Sequence, residues 1–144
     1  MQIPWYITAL GAALIWGLHY PLIDHALKKI SLFSVLLITV IPVLLIAPLF
    51  SDTLLHDYET FKALETTQKL TISAIGLTSL LASILLFMSI GSKNATLASL
   101  IEITYPVFVA LFSFILFKHL HINASVITGG ILVMAGAGII ILNN

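Results

Sequence analysis

An all-α integral membrane protein with five transmembrane helices is the fold class that this sequence predicts. Three observations predict it. Hydrophobic residues make up 60% of the 144 positions and charged residues only 8%, whereas a soluble domain carries about a quarter charged and roughly half apolar residues. The mean hydropathy is +1.14, so lipid rather than water is the solvent of most of the surface. The apolar residues also fall into five stretches, at about 4–23, 32–50, 70–91, 96–117 and 122–142, each near the ~20 residues that a bilayer demands.

The charges confirm the division. Of Asp24, Lys28, Lys29, Asp52, Asp57, Glu59, Lys62, Glu65, Lys69, Lys93, Glu102 and Lys118, only Glu102 lies inside a stretch. A soluble helix would instead keep its charges along one stripe. Backbone groups in hydrocarbon must be satisfied internally, which selects helices, and the alternation of a membrane barrel is absent. Six lysines, no arginine and six acidic residues leave no net charge. A basic surface for nucleic acid is therefore excluded, together with a cytosolic enzyme and a disordered chain. With no cysteine, neither a disulfide nor a thiolate zinc site is available.

The elements follow in order. The first stretch is too long, and too poor in preceding positive charge, for a signal peptide. Pro4 suits a first helical turn, and Trp5 and Tyr6 suit the headgroup level. Pro42 and Pro48 kink the second span or mark its end. Residues 51–69 form the one long polar connection. Leu54, Tyr58, Phe61 and Leu64 recur there at helical spacing, with Asp57, Glu59, Lys62 and Glu65 on other faces. A short interfacial helix capped by Ser51, Asp52 or Thr53 and an ordinary solvated loop fit that pattern equally. The chain reads as one membrane domain over residues 1–144.

Orientation is balanced. If the amino-terminal side is called side A, it holds Lys62, Lys69 and Lys118, and side B holds Lys28, Lys29 and Lys93. The cytoplasmic excess of Lys and Arg that fixes topology is thus divided three against three. Either the protein inserts both ways and pairs with an inverted copy of itself, or a partner or the translocon settles its direction and the tie among so few charges is accidental. The odd number of spans favours the inverted pair, because inverted repeats build many transporters with substrate at the repeat interface.

Glu102 lies roughly 9 Å below the side B boundary of the fourth span, at 1.5 Å per residue. An ionisable residue at that depth is a functional-site candidate and a proton-exchange group; the competing reading pairs it with Lys93 near the interface. His19, near the side B end of the first span, lies at similar depth and is a candidate partner for it, although a backbone carbonyl or water would also serve the imidazole. Ser99, Glu102, Tyr105 and Val109 share a face of a continuous fourth helix. Trp16, His19 and Tyr20 cluster on the first, and Ser79, Ser83 and Phe87 follow i, i+4 spacing on the third. Together they form a polar and aromatic lining for a small-molecule substrate, or simple helix packing. Ser125, Gly129 and Gly136 form a small-residue stripe on the fifth span, a seam for a dimer or for packing within the subunit. His119 and His121 point apart on a helix and make a poor chelate. No metal site, no cofactor motif and no catalytic motif is present.

The chain resembles a known family. Ile15-Trp16-Gly17-Leu18-His19-Tyr20-Pro21-Leu22-Ile23 is similar to the first helix of EamA-type proteins of the drug/metabolite transporter superfamily. Ala98-Ser99-Leu100 with Tyr105-Pro106-Val107-Phe108-Val109-Ala110-Leu111 resembles their fourth helix, and Gly129-Gly130-Ile131-Leu132-Val133-Met134-Ala135-Gly136 their fifth. That fifth helix is also similar to the dimerising helix of small multidrug resistance transporters. The sequence departs from the pattern at Thr39, where an Arg is common, at Phe117-Lys118-His119, where Gly-Glu is common, and at His19, where Asn is usual. The resemblance implies a single EamA-like repeat unit, half the usual size, that transports a small metabolite or drug-like molecule by alternating access in a bacterial inner membrane. The expectation is a homodimer of the inverted kind, with proton coupling through Glu102. The rivals are a non-transporting subunit that needs a second five-span partner and, least supported, a membrane-embedded lipid enzyme.

Overall fold

The computed structural model describes residues 3–118 and 123–144, and its helices follow the apolar pattern. They are α1 Trp5–Leu27, α2 Leu32–Ile46, α3 Ser51–Ala63, α4 Thr66–Ser92, α5 Ala95–Glu102, α6 Tyr105–Phe117 and α7 Ala124–Asn143. A 3-10 turn, Ala47–Phe50, links α2 to α3. There is no strand among the described residues. Five segments are long and apolar enough to cross a membrane: α1, the α2–α3 stretch, α4, the α5–α6 pair and α7.

Local chemistry sets the helix starts. Ser31 accepts from the Ser34 N–H to cap α2, Asn94 accepts from Leu97 to cap α5, and Asn123 accepts from Val126 to cap α7. Glu65 and Gln68 form a capping box at the head of α4. Each supplies acceptors that the first turn of a helix lacks. Pro42 lies within α2, and Pro48 falls in the 3-10 turn where that helix ends.

Two features differ from the sequence-based expectation. The 51–63 stretch is helical, but no side chain caps it. It runs on directly from the 3-10 turn, whose Pro48 carbonyl accepts from the Ser51 N–H, so Ser51, Asp52 and Thr53 have no capping task to perform. The fourth span is also interrupted. α5 stops at Glu102, Ile103 and Thr104 form a turn, and α6 starts at Tyr105. The cause is Pro106, which has no N–H for the Glu102 carbonyl four residues earlier and whose ring would crowd it. The turn closes with short-range bonds instead, Thr104 N–H to the Ile101 carbonyl and Val107 N–H to the Thr104 carbonyl, both at 3.1 Å.

Packing is concentrated at one end. Ile23, Val35, Phe87, Ile90, Ala95 and Ala98 form a buried cluster, contributed by the last turns of α1 and α4 and the first turns of α2 and α5. All of these lie toward side B. Ala137 of α7 is the one other buried hydrophobic residue among those described. Toward side A the helices present large apolar side chains outward, such as Leu49 and Trp5, each 80% exposed. In water such a surface would be untenable; in lipid it costs nothing, since hydrocarbon solvates it.

Candidate functional site

The polar residues at membrane depth gather where α1 meets the interrupted fourth span. Glu102 is the last residue of α5 and is half-buried. The Tyr20 hydroxyl of α1 donates to its Oε2 at 2.6 Å. A hydrogen bond to a carboxylate is charge-assisted and shorter and stronger than a neutral one. Trp16 stands against this pair, its ring 5.5 Å from that of Tyr20 and 5.1 Å from that of His19, edge-on to the latter. Tyr20 and His19 are half-buried and Trp16 is half exposed.

The carboxylate partner is therefore Tyr20, and no hydrogen bond or ion pair joins His19 to Glu102 among the described residues. Both residues sit at the right depth, but a one-residue step along a helix turns a side chain by about 100°, and the face that meets α5 carries Tyr20. Lys93 is also not a partner of Glu102. Its Nζ donates to the backbone oxygen of Asn144 at 2.8 Å, beside the carbonyl-rich end of α7, where a cation is favoured.

Asp24, one turn beyond Tyr20 on α1, is a site-shaping residue that sequence reasoning counted only as a loop charge. Its Oδ2 accepts from the Ala95 backbone N–H at 3.1 Å, and its Oδ1 pairs with Lys28 at 3.0 Å. The i, i+4 relation to Tyr20 was the available signal. Together Asp24 and Tyr20 fasten α1 to the two ends of α5, its first N–H and its last side chain.

The other expected lining residues are less closely gathered. Ser99 is half-buried on α5, with its hydroxyl donating to the Thr96 carbonyl within its own helix. Tyr105 and Val109 are 58% and 54% exposed, because the turn at 103–104 removes them from the face of Glu102. On α4, Ser79 is exposed, Ser83 is half-buried and Phe87 is part of the core. His119 and His121 lie outside the described residues.

The α7 stripe separates into two roles. Gly130 faces α6: a Cβ there would stand 3.4 Å from Val107 Cγ2. Apart from their chain neighbours and the backbone of α7 itself, Gly129 and Gly136 have nothing within 4 Å of where their Cβ would be, and Ser125 is exposed. Beside them α6 and α7 enclose an apolar groove of about 820 Å³, lined by Pro106, Val107, Ala110, Gly129, Gly130 and Met134 among others. No group of three or more His, Asp or Glu residues able to hold a metal occurs among the described residues.

Five membrane-crossing helical segments, one of them broken beside an intramembrane carboxylate, define a multi-pass integral membrane protein. The chain belongs to the EamA-like transporter family, whose family model matches residues 3–142. It is thus a membrane transporter of the drug/metabolite transporter superfamily, and members of its family are transporters rather than enzymes. The chain has no significant match among curated proteins or among solved structures.

Proposed function

We propose that this protein is a proton-coupled transporter of a small metabolite or drug-like molecule, working as an antiparallel homodimer in a bacterial inner membrane. The observation that carries the reading is Glu102, the one charge inside an apolar stretch, held by Tyr20 at the break of the fourth span. A carboxylate in that position exchanges a proton with a substrate that reaches it, and it sits at the edge of the turn that breaks the helix. Trp16, His19 and Tyr20, with Ser99, Ser83 and Tyr105 farther out, supply aromatic and hydroxyl groups for a substrate that is partly apolar.

Support for the pairing comes from three sources. The lysines are divided evenly between the two sides. The five spans are a single repeat of an architecture usually built from two. The α7 face at Gly129 and Gly136 is left open by the subunit itself. We assign α3, whose apolar residues Leu54, Tyr58 and Phe61 lie at helical spacing, to the membrane surface on side A.

The test is a screen of radiolabelled metabolites and cationic and neutral drugs in proteoliposomes under inward and outward pH gradients. Flux without any other protein, driven by the gradient and made insensitive to pH by Glu102→Gln, is expected. Glu102→Gln protein that transports with unchanged pH dependence removes the coupling, and a requirement for a second five-span protein removes the homodimer. The chain has no native cysteine, so a cysteine placed at Asn144 reports orientation cleanly. Labelling from one side only in every molecule removes the inverted pair.

A further inference from the structure

We infer that Tyr20 is the positioning residue for Glu102 and that their hydrogen bond is a proton-sensitive latch between α1 and the break of the fourth span. The inference rests on the reading of Glu102 as the proton-exchanging group and adds the element that its charge controls.

The geometry has three parts. The bond is 2.6 Å long and joins residues 82 positions apart. Glu102 ends α5, so the bond is made at the edge of the Ile103–Thr104 turn, the one interruption of the span. The two segments that flank this turn are unequally held. α5 is pinned by the Asp24–Ala95 bond and by the burial of Ala95 and Ala98, whereas α6 has no buried residue. The turn is therefore where the fourth span can bend, and the latch is the one side-chain hydrogen bond among the described residues that fastens α1 there.

A phenol donates more strongly to a carboxylate than to a neutral carboxylic acid, by about a factor of two in bond strength. Charged Glu102 keeps the latch shut. A proton on Glu102 weakens it and frees the turn, so that α6 changes its angle to α5 and α1. The other titratable groups that surround Glu102 are few. From α1 these are His19 and Tyr20, with Asp24 committed to Lys28 and Ala95. Tyr105 belongs to its own span, and α2 and α7 contribute none. Lys69, the one ionisable residue of α4, lies at the opposite end of that helix. A pH response of the turn thus has Glu102 as its source, with His19 the neighbouring group that the experiment must separate from it.

The experiment is a spin-label distance measurement between Leu14→Cys on α1 and Leu116→Cys on α6, both outward-facing positions at 76% and 65% exposure. The labelled chain is diluted into an excess of unlabelled protein in phosphatidylethanolamine–phosphatidylglycerol vesicles and titrated from alkaline to acid pH without substrate. A second distance population that grows as the pH falls is expected, retained in His19→Asn. Tyr20→Phe shows that population already at alkaline pH and loses the pH step, as does Glu102→Gln. The latch is overturned by Tyr20→Phe protein that keeps the wild-type step, or by loss of the step in His19→Asn. If neither Glu102→Gln nor Tyr20→Phe folds, wild-type protein decides: one unchanging distance at every pH overturns the latch. The flux screen fails independently, so a pH step without gradient-driven flux retains the latch and rejects transport coupling.

Discussion

The Asp24 carboxylate accepts the Ala95 backbone N–H at 3.1 Å and so ties the end of the first transmembrane helix to the start of the fourth span. Asn94, the residue before, caps the same helix through Leu97. Two of the four N–H groups left without partners at that helix start are thereby satisfied by side chains. The junction sits within the buried cluster around Ile90 and Ala95, where an unpaired N–H is costly.

Replacement of Asp24 tests this junction. Asp24→Asn keeps an acceptor for Ala95 and is expected to retain most of the thermal stability in detergent. Asp24→Leu removes the acceptor and the Lys28 partner together and is expected to melt clearly lower. Scanning fluorimetry of the two variants side by side gives the answer, and equal melting would mean that the bond carries no stability.

Pro106→Ala restores the N–H whose absence interrupts the fourth span. Proline is about 3 kcal/mol worse than alanine inside a helix, enough to favour a continuous one. Spin labels at Thr96→Cys and Leu116→Cys are expected to move apart toward the ~30 Å that 20 residues of straight helix span. Flux is expected to fall, since Glu102 would turn with the straightened backbone.

The buried cluster is the main source of subunit stability. Phe87 is 4% exposed at its centre. Phe87→Ala is expected to cost about 3–5 kcal/mol, as for other large aromatic truncations in packed cores. Reversible unfolding in mixed micelles measures it. The same truncation at Phe112, 53% exposed, is expected to cost far less.

Lys118 ends α6 with φ at +57°, the one positive φ among the described non-glycine residues. An L side chain pays about 1–2 kcal/mol in that conformation, and glycine none. Lys118→Gly is expected to raise stability by about 1 kcal/mol, read as a higher unfolding midpoint.

Gly129 and Gly136 differ from Gly130 in what they touch. Gly130→Leu forces its side chain against Val107 and is expected to destabilise the subunit by about 1–3 kcal/mol. A Cβ at Gly129 or Gly136 meets no side chain of its own subunit within 4 Å, so Gly129→Leu and Gly136→Leu are expected to cost the subunit less than Gly130→Leu while lowering the fraction of the proposed dimer. Light scattering in detergent with cross-linking in lipid reads both. Unchanged dimerisation in both variants moves the seam to another face.

The spans were legible because charge punctuates them: eleven of the twelve charged residues lie outside the five apolar stretches, and only Glu102 lies within one. For 51–63 the spacing of Leu54, Tyr58 and Phe61 fitted a helix and a solvated loop equally, and the structure decides for the helix. Rise per residue set His19 and Glu102 at similar depth, and the observed bond to Glu102 comes from Tyr20, the next residue after His19. Azimuth was not legible. Which of two adjacent residues faces a neighbour depends on how helices rotate against each other, and an evenly apolar helix gives no stripe to fix it. Pro106 was visible as a helix breaker, but proline inside α1 and α2 leaves those helices intact. A proline in the sequence therefore did not by itself single out position 106 as the place of the break.

The one-ended core has a mechanical consequence. Rods clamped together at a single rim act as levers. α4 has 27 residues, roughly 40 Å at 1.5 Å per residue, so a tilt of about 5° at the clamped rim carries the far tip about 3.5 Å. The far rim can thus widen and narrow while every contact around Ile90 stays in place. Any opening of a molecule built this way is a pivot, with its firmest region as the fulcrum.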